Sequence, residues 1–222
     1  MLEAVDAPLR LTGHDGTDTR IGPLERSEAV LCRTNAGALT DAMHHLAKGR
    51  RVAIAGGGAE LRSLALAARD LKAGRGTGHH ELFLFKTWED LRDYAHEDPA
   101  GRDLQPWVRL VDDLGPDTIL TLLTSLGPEH AAAVTVSTAH RAKGREWSTV
   151  RVGDDFPQPE TGADGQPAPL PRAEARLAYV AITRARHHLD PGSLDHARQS
   201  GSAGPCGRSE AMMLPPAAPA GG

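Results

Sequence analysis

Between Thr138 and Trp147 the chain carries a hydroxyl at Thr138, an imidazole at His140, guanidiniums at Arg141 and Arg145, an ammonium at Lys143 and a carboxylate at Glu146. The three cations have the charge and the N–H donors to meet phosphate oxygens. Glu146 can accept hydrogen bonds from sugar hydroxyls. Gly144 lets the backbone turn or approach a ligand closely. The same residue types also fit a solvated, charged loop.

A second group lies in Arg176-Leu177-Ala178-Tyr179-Val180-Ala181-Ile182-Thr183-Arg184-Ala185-Arg186. Its apolar spacing predicts a helix over 172–188 with Leu177, Val180 and Ala181 inward. Arg184, Arg186 and His187 would then stand at its basic end, where cations complement the helix dipole. A third group is Leu31-Cys32-Arg33-Thr34-Asn35-Ala36. Arg33 closes a short apolar run and precedes a helix start, a position suited to an anion or to a strand-end salt bridge.

Other groups carry less. Gly56-Gly57-Gly58 follows an apolar run, but G-x-G-x-x-G needs a third glycine where Leu61 stands, so a tight turn is expected rather than a dinucleotide site. Six of the eleven histidines fall in adjacent pairs, His44-His45, His79-His80 and His187-His188, and there is no Cys-x-x-Cys; no metal is expected. Cys32 and Cys206 fall in an expected buried strand and an expected tail, so no disulfide framework is implied.

The elements that must position these residues alternate. Strands are predicted at 29–33, 52–55, 133–137 and 149–152. Helices are predicted after Thr34 or Asn35, either of which can cap, up to Gly49, then at 59–72, 87–96, 103–114 and 116–126. In the 103–114 helix Leu104, Trp107, Val108 and Val111 fall at i, i+3, i+4 and i+7. Residues 157–171 hold five prolines and two glycines and read as loop. Alternation of this kind implies an α/β fold with a parallel sheet, whose ligands gather at the carboxyl ends of the strands. Three regions follow: 1–28, a polar leading loop or severed segment; 29–189, the α/β domain, with a helical insertion at about 87–128; and 190–222, a Gly-, Ser-, Pro- and Ala-rich disordered tail.

Bulk properties narrow the partners. The 222 residues carry 25 Lys and Arg against 29 Asp and Glu, net −4, so any nucleic-acid contact must be local or shared with a partner. No apolar stretch approaches the ~18 residues of a membrane span, and a soluble cytoplasmic protein is expected.

The string Thr-x-His-x-x-Lys-Gly-x-Glu-Trp resembles motif V of the UvrD/Rep-like superfamily 1 DNA helicases, and Leu-Ala-Tyr-Val-Ala-Ile-Thr-Arg-Ala-Arg resembles motif VI. The segment around Arg33 is similar to motif IV, with Cys32 where the family often has an aromatic residue. The short spacing between Arg33 and Thr138 is nearer the F-box-helicase-like branch. The resemblance implies a RecA-like parallel sheet flanked by helices, the second of the family's two such domains. It also implies ATP as cofactor and single-stranded or partly duplex DNA as partner. Carried over by position, Arg184 is the arginine finger and Arg33 a γ-phosphate contact. Gly144 and Glu146 face the nucleotide, Glu146 at the ribose, while Thr138, His140 and Lys143 face DNA. The Asp154-Asp155 pair stands where the family often has a DNA-facing loop, and its charge argues against that contact here.

No G-x-x-x-x-G-K-[ST] occurs, and no apolar strand ends in an Asp-Glu pair able to hold Mg²⁺. The resemblance therefore implies a Walker-containing RecA-like partner domain, in cis or in trans, that supplies the Mg²⁺ site, and no ATP turnover by this chain alone. The function expected is the C-terminal half of an ATP-dependent helicase, 3′→5′ by family resemblance. The alternative is a non-catalytic DNA- or partner-binding fragment or decayed paralogue.

Overall fold

The computed structural model of the protein describes residues 19–159, 168 and 170–195. Six strands, β1 (Arg20–Ile21), β2 (Ala29–Cys32), β3 (Val52–Ile54), β4 (Val134–Thr138), β5 (Trp147–Val152) and β6 (Ala185–Asp190), form one sheet in the order β1-β6-β5-β2-β4-β3. Every pairing is parallel, with β2 at the centre; Leu31 is level with Ser137 on one side and with Val152 on the other.

Successive strand side chains point to opposite faces, and two cores result. Val30 and Cys32 of β2, with Val52, Ile54, Val134 and Val136, face α1 (Asn35–Ala47) and α2 (Ala59–Lys72). A helical layer, α3 (Trp88–Glu97), α4 (Gln105–Leu114) and α5 (Pro116–Thr124), extends that core through Trp88, Leu91, Trp107, Val108, Val111 and Ile119. Ala29 and Leu31, with Val150, Val152 and Leu189, face α6 (Arg172–Ile182) through Leu177, Ala178 and Ala181. The buried Ala139 and Ala142 belong to this second core, so the segment after β4 lies back across the sheet.

Local chemistry sets the boundaries. Thr34 has extended φ and ψ, and its hydroxyl accepts the Gly37 N–H, which resolves the cap in its favour over Asn35. Gly56, Gly57 and Gly58 all have positive φ (77°, 78° and 71°). The triple glycine is a backbone requirement of the β3–α2 turn, since L side chains rarely adopt this region. Thr87 and Asp90 form a capping box at the start of α3.

The sequence-based helix over 172–188 is shortened. It ends at Ile182, Thr183 caps it, and residues 185–190 become β6 beside β5. The alternating pattern that marks a strand is masked in this stretch by its cations, and the partner that makes it a strand lies some 35 residues earlier. The basic helix end assigned to Arg186 and His187 is thereby overturned: both are exposed strand residues, and the last turn of α6 holds no basic residue.

Of the expected leading segment, residues 1–18 lie outside the described residues, as do 160–167 and 169 of the expected loop and 196–222 of the expected tail, with Cys206. Within the described part, β1 pairs with β6, and a short 3-10 turn at Gly192–Leu194 buries Leu194 in the second core. No helix among the described residues is long and apolar enough to cross a membrane.

Candidate functional site

Because every strand is parallel, the site residues can be sorted by the end of the sheet they occupy. Arg33 follows β2 and Thr138 ends β4, both at the carboxyl ends. The Gly144–Glu146 segment precedes β5 and Arg184 precedes β6, both at the amino ends. The register makes the separation concrete. Val152 is level with Leu31, and Trp147 lies five residues before it, a distance along the strand of roughly 16 Å.

At the carboxyl end a cleft of about 970 Å³ is lined by Arg33, Thr138, His140 and Arg141 together with Glu174, and by Phe85, Tyr94 and Trp107 from the opposite wall. Thr138 is buried, whereas His140 and Arg141 are exposed. Arg141 is ion-paired to Glu60 of α2. Arg33 is engaged on both sides. It donates two bonds to Glu174 of α6, at 2.7 and 2.6 Å, and one to Asp103 at 2.8 Å. The hydrogen bonds it donates to these carboxylates push its pKa upward against the opposing effect of burial, Glu174 contributing most.

At the amino end the Arg184 guanidinium is folded onto neutral oxygens. It reaches the Val180 carbonyl (3.1 Å), the Thr183 hydroxyl (2.8 Å) and the Arg145 carbonyl (3.4 Å). None of these carries charge, so its positive charge is unneutralised by any carboxylate contact among the described residues. Gly144 has φ of 78°, which allows the tight return into β5. Glu146 and Lys143 are exposed. The main-chain N–H of Trp147 donates to the Arg184 carbonyl at 3.0 Å, so the two motif segments are joined by backbone as well as side chain.

The family resemblance gave Arg33, Gly144, Glu146 and Arg184 to one nucleotide and Thr138, His140 and Lys143 to DNA. The structure divides them differently. Thr138 and His140 stand with Arg33; Gly144 and Glu146 stand with Arg184. Arg33 and Arg184 mark opposite ends of α6, and Glu174 and Arg184 are ten residues apart, on the order of 15 Å at helical rise.

Residues with no sequence signature complete the site. The Glu129 carboxylate takes the Gly56 N–H (3.0 Å) and is ion-paired to Arg145, whose guanidinium lies 5.4 Å from the Trp147 ring centroid. Burial works to raise its pKa, but the hydrogen bonds from Arg145 and Gly56 outweigh that and hold it below the usual value. Asp155, read from sequence as a repeller of phosphate, is turned inward. It accepts the Arg33 and Thr34 N–H groups and the Thr34 hydroxyl at 2.7–2.9 Å. Asp154 pairs with Arg151. No three His, Cys, Asp or Glu side chains among the described residues group closely enough to hold a metal ion.

The all-parallel sheet with helices on both faces is of the RecA-like α/β class. Residues 113–190 match the family model of the UvrD-like helicase C-terminal domain. Over 134 residues the chain is 35% identical to the ATP-dependent DNA helicase UvrD1 of Mycobacterium tuberculosis and of Mycobacterium bovis, a stretch that covers 54% of this chain and 17% of that protein. Over 122 residues it is 31% identical to F-box DNA helicase 1 of Gallus gallus, covering 47% of this chain and 12% of the relative. The chain thus resembles the C-terminal domain of UvrD-like helicases, and it covers less than a fifth of the length of the curated relatives it matches.

Proposed function

We propose that this chain is the second RecA-like domain of an ATP-dependent DNA helicase, working with a Walker-containing RecA-like domain in cis or in trans. The amino-end group, Arg184 with Gly144 and Glu146, is its nucleotide-sensing part. The carboxyl-end group, Thr138 and His140, is its DNA-facing part, together with the exposed Lys143 further along the same segment.

The observation that carries this reading is electrostatic. Arg184 rests on three neutral oxygens beside the Gly144–Glu146 segment, whereas Arg33 is neutralised by two carboxylates. A guanidinium without a carboxylate partner is ready to exchange weak neutral acceptors for phosphate oxygens. The exposed Glu146 carboxylate nearby can accept hydrogen bonds from ribose hydroxyls. Arg33 acts here as a brace on α6 rather than as a phosphate contact.

ATP supplies the phosphoryl group whose transfer drives the strand movement, and its Mg²⁺ is held by the partner domain, where the carboxylates and the phosphate-cradling loop reside. This chain's own work is to bind and orient. The β4–β5 segment runs from Thr138 to Glu146 across the sheet, linking the DNA-facing end to the nucleotide-facing end in nine residues. Movement of one end is thereby carried to the other. The 3′→5′ polarity belongs to the same proposal.

The test joins this chain to a Walker-containing half and compares wild type with Arg184→Ala. Loss of the finger is expected to lower DNA-stimulated ATP hydrolysis by roughly 10³-fold or more. Retention of the wild-type rate would rule out the finger role. The chain by itself is expected to turn over no ATP.

A further inference from the structure

The amino ends of β2, β4 and β5 open on a second pocket, of about 710 Å³, on the α1 side of the sheet. Arg26, Lys48, Arg50, Arg51 and Arg151 line it, against the carboxylates of Glu25 and Glu28. Arg151 is paired with Asp154, which leaves a local excess of two positive charges in a chain whose net charge is −4. Glu28 is already engaged by the Ser148 N–H. Arg50 donates to the carbonyls of Ser27 and Ala133, and Arg51 to that of Ala131. Arg26 and Lys48 are exposed.

His45 supplies an independent observation. It lines the pocket and is only 7% exposed. Its Nδ1 lies 3.1 Å from Arg50 Nη1. Arginine is always protonated and can only donate, so Nδ1 must accept and the ring proton must sit on Nε2. That Nε2 is buried and has no hydrogen-bond partner. Buried N–H groups are rarely left unpaired, because the lost hydration is not replaced. The same positive surroundings act on the ring's charge. Burial first, then Arg50, His44, Lys48 and Arg151, pull its pKa down to about 4. Arg50 is likewise lowered, by burial and by the Arg26 charge.

An unpaired donor behind a wall with an excess of positive charge calls for an acceptor that brings negative charge and several oxygens. We propose that this pocket is an anion site for a phosphate group, bound by Arg26 and Lys48 at the rim, with the His45 Nε2–H, buried behind them, becoming the inner donor as the anion enters. It shares no lining residue with the Thr138 cleft or with the Arg184 group, and it does not depend on the chain being a helicase domain. The phosphate can belong to a nucleic-acid backbone or be free in solution.

The experiment follows the His45 ring by ¹H–¹⁵N spectra of the full chain during three titrations: inorganic phosphate, a short single-stranded oligonucleotide, and sodium chloride at matched ionic strength. Phosphate is expected to shift the His45 ring signals where chloride does not. The double charge reversal Arg26→Glu, Lys48→Glu is expected to weaken that response by about tenfold or more; both side chains are exposed, and far-UV circular dichroism checks the fold. If the oligonucleotide produces the same shift, also in a Lys143→Glu background, the source is a backbone phosphate. The reversal then lowers the salt slope of oligonucleotide binding by about 1.4, at ~0.7 for each cation. If only inorganic phosphate acts, the ligand is the free anion. An equal shift from chloride, or an unchanged response in the double variant, overturns the site. Failure of the oligonucleotide to bind anywhere would count against the helicase reading and leave the phosphate response standing.

Discussion

Arg33 and Glu174 are joined by two bonds, 2.7 Å from Nε and 2.6 Å from Nη2, that tie the end of the central strand β2 to the first turn of α6. Their side chains are 19% and 17% exposed, so the pair is mostly out of water. Breaking the pair leaves the partly buried Arg33 charge with only the exposed Asp103 as partner. Full burial would make that cost ~3–5 kcal/mol; with this exposure about 2 kcal/mol is expected for Glu174→Gln. For a chain of this size that lowers the melting temperature by about 4–8 °C. Adding Arg33→Met should recover part of the loss, because the under-compensated charge is then gone. A purely additive double variant in thermal denaturation would mean that the brace carries no coupling energy.

Gly37 and Asp155 form a second dependency. A methyl group at position 37 would run into the Asp155 carboxylate, which is fixed by the Arg33 and Thr34 N–H groups and the Thr34 hydroxyl. Gly37→Ala should therefore destabilise despite the better helix propensity of alanine, by about 2 kcal/mol, in the range for overpacking. Asp155→Ala should cost a similar amount by leaving three donors unpaired. In the double variant the clash is absent, so urea denaturation should give a loss clearly smaller than the sum of the two.

His45 makes stability depend on pH. Its folded pKa is about 4 against an ordinary 6.5. Between those values the unfolded chain binds a proton that the folded chain refuses, so protonation favours unfolding. The contribution is complete above pH ~6.5 and is lost as the pH falls toward 4, at about 1.4 kcal/mol for each unit of separation. His45→Gln should flatten this limb of the stability–pH curve. An unchanged slope between pH 6.5 and 4 in that variant would show that another group is responsible.

Several of these relationships can be traced to the chain itself. Leu39, Ala42 and Leu46 at helical spacing, with Thr34 before them and Gly49 after, give α1 its boundaries without tertiary help. Leu61, Leu64 and Ala68 do the same for α2, and the failed glycine fingerprint at Leu61 correctly points to a turn. The buried strands β2, β3 and β4 are legible because a strand covered on both faces is a continuous apolar run. The β6 strand was not legible. Its sequence, Ala185-Arg186-His187-His188-Leu189-Asp190, has no apolar alternation beyond Leu189, and only pairing with β5 and β1 makes it a strand.

Composition and order of residues by themselves determined the alternating helices and strands, hence the parallel sheet, and marked Thr138–Trp147 and Arg176–Arg186 as the segments rich in ligand-binding chemistry. Only the tertiary structure decided which end of the sheet each residue occupies and which charges are neutralised there. Arg33 and Arg184 look alike as strand- or helix-end guanidiniums in sequence, but one is held by Glu174 and Asp103 and the other by three neutral oxygens. The physical reason is that a charge's availability depends on partners brought from far along the chain: Glu174 stands 141 residues from Arg33, and spacing within a motif carries no record of a contact made across that distance.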